Sequence, residues 1–188
     1  MPKLMVVIAS TRPRRVGLAV GQWFVSRAKD HGGFDLDVAD LAEVDLPFLD
    51  EPKHPRFHDY AHDHTREWGA RVEAADAFVF VTAEYNHGYP APLKNAIDYL
   101  NREWAYKPVG LVSYGGVSGG LRAVQALKPV ISALRMTPVL DAVTIPMVRT
   151  MMHDGTFEPN DIVSVSVKAM LDELVKLAGA LGTLRSAA

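Results

Sequence analysis

Short runs of apolar residues recur along this chain, and longer stretches with helical spacing separate them. The runs are rich in Val, Ile, Leu and Phe, and they predict β-strands over residues 4–9, 34–41, 77–82, 109–114 and 139–145. Apolar residues at helical spacing predict helices over residues 16–31, 59–75, 93–104, 121–134 and 162–184. Because strands and helices alternate, the sequence predicts a doubly wound α/β sheet.

The composition of the runs indicates their positions in the sheet. The first, third and fourth runs are almost purely apolar, as expected of parallel strands with helices on both faces. The second run alternates polar and apolar residues, so we place it nearer an edge. Three prolines predict a surface loop over residues 46–56, and we expect the tail, residues 185–188, to be frayed.

Length and composition limit the functional classes. A chain of 188 residues with 48% hydrophobic residues predicts one globular domain over residues 1–188. The absence of cysteine excludes disulfides, thiolate metal sites and cysteine nucleophiles. A net charge of −2 argues against nucleic acid as a partner. The apolar run near the start is too short for a signal peptide or a membrane span, so we expect a cytoplasmic protein with no membrane partner.

The loops after the first and third strands have the most unusual compositions. In a sheet of order 2-1-3-4-5, ligands bind at the carboxyl ends of the strands, between strands one and three. The first loop, A-S-T-R-P-R-R-V-G over residues 9–17, lacks the glycine patterns of dinucleotide and ATP sites. It does offer a helix N-terminus, the hydroxyls of Ser10 and Thr11, and the guanidinium groups of Arg12 and Arg15, which suit a phosphate monoester. The alternative is that a hydroxyl only caps the helix and the arginines are solvated.

The loop over residues 83–92 combines tyrosines, an amide, a glycine and prolines. Its backbone amides at residues 84–87 suit the edge of a flat ring, and Tyr85 suits a position beside that ring. The alternative is a proline-rich turn whose tyrosines pack at a subunit interface. Residues 113–120 add four glycines at the same end of the sheet, where the backbone can approach a flat ligand closely or form a flexible turn.

Three motifs together resemble those of the NADPH-dependent FMN reductase family of flavodoxin-like proteins. They are S-T-R-x-x-R from residue 10, T-x-E-Y-N-x-G-x-P-x-x-L-K-N-A-I-D-Y-L from residue 82, and S-Y-G-G-x-S-G-G from residue 113. The resemblance spans residues 4–146. It implies a flavodoxin-like, five-stranded parallel sheet of order 2-1-3-4-5, bound FMN, NADPH or NADH as co-substrate, and a homodimer or homotetramer. The implied activity passes a hydride from NAD(P)H through FMN to a small-molecule electron acceptor: a quinone, an azo compound, a metal oxyanion or flavin.

The resemblance also implies which residues hold FMN. Together with the first-loop argument, it places these residues around the phosphate: Ser10, Thr11, Arg12, Arg15, Val16 and Gly17. It places these along the two edges of the ring: Glu84, Tyr85, Asn86, His87, Ser113, Gly115, Gly116 and Gly119. Because the flavin carries the redox chemistry, no catalytic side chain is predicted. The chain departs from the family at Ala9 and Ala83, where Gly and Pro are usual, and we expect a looser flavin loop.

Other hypotheses remain open at this stage. A flavodoxin-type electron carrier would share the fold and FMN, and a serine hydrolase would use Ser118 in a G-x-S-x-G pattern with Asp141 and His153. His58 and His62 have the spacing of zinc ligands on a helix, although we predict no metal site.

Two pairing and packing expectations complete the sequence-based predictions. Lys94 and Asp98 are spaced to form an ion pair on the third helix. The resemblance makes Trp104 a candidate for the subunit interface.

Overall fold

A computed structural model of the chain describes residues 1–185 and shows a β-sheet with helices on both faces. The strands are β1 Lys3–Ile8, β2 Asp35–Asp40, β3 Ala77–Ala83, β4 Pro108–Tyr114, β5 Thr137–Pro138 and β6 Val143–Ile145. The helices are α1 Val16–His31, α2 Leu41–Val44, α3 Asp63–Glu73, α4 Ala91–Asp98, α5 Leu121–Ala133 and α6 Asp161–Arg185. Single 3-10 turns lie at Pro55–Phe57, Arg102–Trp104 and Val148–Met151, and β7 Met152–His153 pairs with β8 Thr156–Phe157.

The strand order β2-β1-β3-β4-β5 confirms the predicted flavodoxin-like topology. Every pairing in this sheet is parallel, and β2 lies at the edge, as its alternating pattern predicted. The register aligns the carboxyl ends, since Ile8 pairs with Val81 and Tyr114 pairs with Ile145. The loops that follow β1, β3, β4 and β6 therefore emerge side by side at one edge of the sheet.

The predicted fifth strand, residues 139–145, is wrong in its bounds. The structure divides this position between β5 and β6, which pair with the beginning and the end of β4 respectively. Between them Leu140 is 91% exposed and Asp141 is also exposed, so the chain leaves the sheet for a few residues.

The two faces of the sheet carry separate hydrophobic cores. Helices α1 and α6 cover one face, where Val20, Phe24 and Leu171 are completely buried. Helices α3, α4 and α5 cover the other face, where Trp68 and Leu127 are buried. Both faces of β3 are therefore shielded from water, which explains its uninterrupted apolar sequence.

Two of the helix predictions need correction at their ends, and one helix was not predicted. Helix α3 begins at Asp63 instead of residue 59, because Glu51 accepts hydrogen bonds from the amides of Ala61 and His62 and holds that stretch outside the helix. Helix α4 covers only the first part of the predicted 93–104 helix, and a separate 3-10 turn completes it. Helix α2 was not predicted. It is short, and the side chain of Asp40 caps it.

The interface prediction for Trp104 is wrong, because its own chain covers this side chain. Trp104 is 1% exposed, its ring centroid lies 4.9 Å from that of Phe78, and its indole N–H donates to the Ile97 carbonyl. The Lys94–Asp98 ion pair is confirmed, with 2.5 Å between Nζ and Oδ2.

The predicted fraying of the tail is wrong for Arg185. This residue ends α6, and its guanidinium contacts Asp76 at 2.7 Å and the Tyr106 carbonyl at 3.0 Å. The other three residues of that prediction, 186–188, lie outside the described part of the chain. No helix within residues 1–185 is both long enough and apolar enough to cross a membrane.

Candidate functional site

A cleft of about 240 Å³ opens at the carboxyl edge of the sheet, where the predicted loops meet. It brings together six of the predicted site residues: Arg12, Val16, Glu84, Tyr85, Gly115 and Gly116. The remaining wall consists of residues that the sequence analysis did not select: Ala83, Tyr114, Met147, Val148, Arg149 and Thr150. We call this cavity the switch-point cleft.

The first loop reaches the cleft through Arg12, whose exposed guanidinium forms no hydrogen bond or ion pair within residues 1–185. Arg15 differs, because its guanidinium forms a largely buried ion pair with Asp40 at the end of β2. Its charge is therefore already balanced, although its Nε atom is buried without a partner. Helix α1 begins directly behind this loop, and no side chain caps its N-terminus. Arg12 is thus the cation of this loop that lines the cleft without a balancing charge, and the first amides of α1 are free to bind an anion.

Tyr114, the last residue of β4, reaches beneath this helix N-terminus. Its side chain is almost fully buried, and within residues 1–185 its hydroxyl has no partner at full hydrogen-bond geometry, although the Ser10 hydroxyl lies near enough to offset part of the rise in pKa that burial causes. A Cβ atom on Gly17 would lie 2.2 Å from this hydroxyl, so only glycine fits at that point of α1. Burial raises the pKa of Tyr114 above its ordinary value, which keeps the hydroxyl protonated and able to donate. An unpaired buried donor beside an uncapped helix N-terminus fits a phosphate oxygen.

Ser10 joins the first loop to the loop after β3. Its buried hydroxyl and the Tyr85 hydroxyl share a hydrogen bond of 2.7 Å. Tyr85 is 40% exposed and forms a wall of the cleft. The tyrosine predicted to border a ring is therefore held in place by a serine from the predicted phosphate loop.

The loop after β3 turns tightly at its tip. Tyr85 and Gly88 exchange backbone hydrogen bonds of 2.8 and 2.9 Å, and Asn86 and His87 between them have positive φ angles of 50° and 68°. The Glu84 amide donates to the Tyr114 carbonyl at 3.2 Å. Of the amides predicted to meet a ring edge, those of Glu84 and Tyr85 are thus already paired. Only those of Asn86 and His87 have no partner within residues 1–185.

The Glu84 side chain points to the glycine-rich loop instead of lying open to a ligand. One carboxylate oxygen accepts from the Arg122 Nε at 2.6 Å, and the other accepts from the Ser118 hydroxyl at 3.0 Å and the Arg122 amide at 3.1 Å. Burial acts to raise the pKa of Glu84, but the hydrogen bonds from Arg122 and Ser118 hold it below its ordinary value. Glu84 therefore stays ionised and ties the second loop to the N-terminus of α5.

The glycine-rich loop presents its backbone to the cleft at Gly115 and Gly116, and a Cβ atom on Gly116 would meet open space. Ser113 and Gly119 have internal roles: the Ser113 hydroxyl donates to the Gly119 carbonyl at 2.8 Å. Gly119 has a φ of 60°, and a Cβ atom there would lie 2.6 Å from Thr144 Cγ2. Ser113 and Gly119 therefore stabilise the conformation of the loop and do not line the cleft.

The missed wall, residues 147–150, follows β6. The carboxyl-end rule that selected the loops after β1 and β3 applies equally to this strand, and applying it to the predicted fifth strand would have found these residues. Tyr114 ends an apolar run, a pattern that predicts a core residue and gives no sign of a site.

A second cleft, of about 480 Å³, lies between α2 and α4 and is larger than the switch-point cleft. Of the predicted site residues it contains only Thr11. Asn95 also lines this second cleft, but its side-chain amide already accepts from the Leu49 amide and donates to the Pro47 carbonyl. The smaller cleft, where an unpaired cation and unpaired donors meet, is the better candidate.

The zinc hypothesis fails in the described part of the chain. The His58 imidazole contacts Glu103 at 2.7 Å, and His62 precedes α3 as its N-cap, so the two do not share a helix face. No group of three or more potential ligand residues within residues 1–185 is arranged to hold a metal ion.

The hydrolase hypothesis also lacks its base. The Ser118 hydroxyl bonds to Glu84 and Arg122, whereas His153 lies in the β7–β8 hairpin and forms no hydrogen bond with it within residues 1–185.

Comparison with known proteins agrees with this geometry. Residues 2–150 match the family described as NADPH-dependent FMN reductase. The chain is 39% identical over 187 residues to an NAD(P)H-dependent FMN reductase of Schizosaccharomyces pombe, covering 97% of this chain and 90% of that protein. It is 36% identical over 175 residues to an NAD(P)H-dependent FMN reductase of Saccharomyces cerevisiae, covering 86% and 87% respectively.

Among solved structures, the fold is similar to that of the flavoenzyme NAD(P)H:(acceptor) oxidoreductase FerB from Paracoccus denitrificans. The TM-score is 0.74 at 22% identity, with 96% of this chain and 98% of that chain covered. At this identity the likeness concerns the fold alone. The family match spans most of the chain and includes every residue that lines the switch-point cleft. The chain belongs to the NADPH-dependent FMN reductase family of flavodoxin-like oxidoreductases.

Proposed function

We propose that this protein passes a hydride from NAD(P)H through FMN bound in the switch-point cleft to a small-molecule electron acceptor. Quinones, azo compounds, metal oxyanions and flavin are the acceptor classes. The observation that carries the proposal is the meeting of unpaired Arg12, the uncapped N-terminus of α1 and the unpaired Tyr114 hydroxyl at one end of a cleft. Tyr85 and the Gly115–Gly116 backbone form a further part of the wall of the same cleft.

The phosphate end would be held by groups that lack partners within the chain. Arg12 supplies a charge, the first amides of α1 supply backbone donors, and Tyr114 supplies a buried hydroxyl. A phosphate monoester is a dianion with several acceptor oxygens, so it satisfies all of these donors together. Arg15 contributes indirectly, because its ion pair with Asp40 fixes the end of the loop.

The ring end would be held between the loops after β3 and β4. Glu84 locks these two loops together, and Ser10 fixes the Tyr85 ring at the edge of the cleft. When bound, FMN supplies the redox chemistry by accepting a hydride from NAD(P)H and passing electrons to the acceptor. The chain's own contribution is to orient the ring and shield one side of it, which leaves the open side for both substrates.

The test is the visible absorption spectrum of the purified protein after FMN is added and the excess removed, followed by NADPH and then a quinone. We expect retained flavin bands that bleach with NADPH and recover with the quinone. A colourless protein without retained FMN would overturn the proposal. Retained flavin that NADPH does not reduce would favour an electron carrier of the flavodoxin type.

Steady-state kinetics supply a second test. If both substrates use the same open side of the ring, they bind in turn, and double-reciprocal plots at several acceptor concentrations are parallel. Intersecting lines would show that both substrates bind together and would contradict a single shared side.

Three further parts of the proposal stay predictions. They are a homo-oligomeric state, a single domain over residues 1–188 and a cytoplasmic location. Size-exclusion chromatography with light scattering measures the oligomeric state directly. Dimer and tetramer are the expected results, and a monomer would contradict this part of the proposal without affecting the chemistry.

A further inference from the structure

The turn at residues 147–150 is a rigid wall of the switch-point cleft. The amides of Met147 and Val148 donate to the carbonyls of Gly116 and Gly115 at 2.8 and 3.1 Å. The Thr150 amide and hydroxyl both donate to the Met147 carbonyl at 2.9 Å. Met147 adopts a φ of 50°, which a residue with a side chain holds only where its surroundings enforce it. The backbone of the turn is therefore fixed to the glycine-rich loop.

Arg149 is the charged residue of this turn. Its exposed side chain lines the cleft, and its guanidinium forms no hydrogen bond or ion pair within residues 1–185. Among residues 1–185, Glu84 is the only acidic residue that lines the cleft, and the Arg122 guanidinium already balances its charge at 2.6 Å. Arg149 is thus an uncompensated cation, held in place without an internal partner.

Arg149 and Arg12 lie at two ends of the cleft. Arg12 follows β1 and Arg149 follows β6, and the ends of β3 and β4 lie between those strands. The phosphate of the cofactor is accounted for at the β1 end, where Arg12, the α1 amides and Tyr114 converge. Arg149 directly follows Met147 and Val148, whose amides bond to Gly116 and Gly115 at the proposed ring end of the cleft. A guanidinium at that end is free to bind a second anion.

The dinucleotide co-substrate supplies such an anion. Its nicotinamide must reach the ring, and the rest of the molecule then leaves the cleft across its rim carrying phosphate groups. A guanidinium binds phosphate oxygens with paired, charge-assisted hydrogen bonds. An uncharged quinone cannot form such an ion pair. We propose that Arg149 binds a phosphate group of NAD(P)H and so sets the affinity for the dinucleotide, an inference that rests on the proposed function.

The experiment compares Arg149→Gln and Arg149→Lys with the wild type. It measures the KM and kcat for NADPH and for NADH, the dissociation constant of FMN, and calorimetric binding of 2′,5′-ADP and 5′-ADP to the FMN-loaded protein. Arg102→Gln is the matched control, because it removes an exposed arginine at the opposite, amino end of β4.

For Arg149→Gln we expect the KM for NADPH to rise about tenfold, with kcat within about twofold and FMN affinity unchanged, as for the loss of one charge-assisted contact. Arg149→Lys should restore part of the affinity, and Arg102→Gln should match the wild type. A change confined to NADPH and 2′,5′-ADP assigns the contact to the 2′-phosphate. An equal change with NADH and 5′-ADP assigns it to the pyrophosphate.

Unchanged KM values for both dinucleotides would overturn the inference, and so would a loss of FMN affinity in place of dinucleotide affinity. Failure of the proposed function looks different, because the wild type itself would then retain no FMN or oxidise neither dinucleotide. That result would remove the basis of the inference before any variant is compared.

Discussion

Two regions of this molecule are rich in aromatic and polar side chains, yet they differ in how those side chains are paired. The switch-point cleft contains a free Arg12 and a buried Tyr114 hydroxyl without a partner. Residues 50–64, which we call the histidine segment, contain four histidines and several carboxylates. In that segment the histidines, Tyr60 and the carboxylates find their partners within the chain.

Glu103 is the buried anchor of the histidine segment. Its side chain is 1% exposed, and it accepts hydrogen bonds from the Tyr60 hydroxyl at 2.6 Å, from His58 at 2.7 Å and from the Asn101 amide at 3.0 Å. Asp50 similarly contacts His64 and the Tyr99 hydroxyl, each at 3.0 Å. A network that satisfies its own donors stabilises the fold and offers little to a ligand.

The cleft shows the opposite pattern. Within residues 1–185 the buried side-chain atoms without partners are Arg15 Nε, Tyr114 Oη and Thr65 Oγ1, and the first two lie at the N-terminus of α1. Thr65 Oγ1 lies beside the Glu51 carboxylate, whose pKa it helps to lower against the effect of burial. Tyr114 Oη lies near the Ser10 hydroxyl, but that hydroxyl already shares a hydrogen bond with Tyr85. Residue types alone therefore do not distinguish a binding site from a structural network. The presence or absence of hydrogen-bond partners does.

The largest expected effect comes from breaking the satisfied network. Glu103→Ala would leave the Tyr60 hydroxyl and the Asn101 amide without their acceptor, so we expect the free energy of unfolding to fall by about 3 kcal/mol. Urea denaturation measures the loss, and the affinity for FMN should be unchanged in the folded variant. Glu67→Ala is the control, since Glu67 is exposed on α3 and should change stability by less than about 0.5 kcal/mol.

The wild type and Glu103→Ala also allow a test of how stability depends on pH. Burial acts to raise the pKa of Glu103, but the hydrogen bond from Tyr60 and the other contacts hold it below the ordinary value of 4.5. A lowered folded pKa means that Glu103 contributes its full stabilisation above pH 4.5 and loses it as the pH falls through the folded pKa. The stability difference between wild type and Glu103→Ala should therefore shrink in acid, and a constant difference would contradict the assignment.

A smaller and different effect is expected from Arg12→Ala. Because the guanidinium has no partner in the chain, its removal should leave stability within about 0.5 kcal/mol of the wild type. FMN binding should weaken by about 1.5–3 kcal/mol, or about 10- to 150-fold, through the loss of one charge-assisted contact. Titration of FMN fluorescence measures the affinity.

Arg14→Ala is the matched control for Arg12→Ala. It removes the same charge from the same loop at an exposed position outside the cleft, and FMN affinity should change much less. Equal losses in both variants would mean that the loop acts only through its overall charge, and the phosphate contact would then have to be moved elsewhere.

The sequence predicted the sheet well because uninterrupted apolar runs such as β3 have few other stable environments. It could not predict the split of the fifth strand, since Leu140 suits a strand by type and only its position outside the sheet exposes it. It also misplaced Trp104, because a large aromatic residue suits a core and an interface equally. Here Phe78 from β3 happens to supply the contact surface.

The sequence likewise located the loops of the site better than the directions of their side chains. Glu84 and Ser113 lie in the predicted loops, yet both bond to the glycine-rich loop and its helix. Whether a loop residue turns outward or inward depends on distant partners, such as Arg122, that no local pattern reveals. Tyr114 is the opposite case, since it ends an apolar run as a core residue would and yet lines the cleft.

The smallest expected effect is also the sharpest test of the comparison. Tyr114→Phe removes one hydroxyl from a buried position where it has no partner within residues 1–185. Loss of an unsatisfied buried hydroxyl costs the protein nothing, so the cofactor-free variant should unfold at the same temperature as the wild type or a higher one. FMN binding should weaken by about 1 kcal/mol, or about fivefold, because the phosphate loses a donor.

Tyr85→Phe provides the contrast within the same cleft. The Tyr85 hydroxyl already bonds to Ser10 at 2.7 Å, so its removal should lower the melting temperature of the cofactor-free protein. If Tyr114→Phe destabilises the cofactor-free protein as Tyr85→Phe does, the Tyr114 hydroxyl has a structural partner and the two regions differ less than their pairing indicates. If it weakens FMN binding without that cost, an unpaired buried donor marks the cofactor site, and the same criterion distinguishes the cleft from the histidine segment.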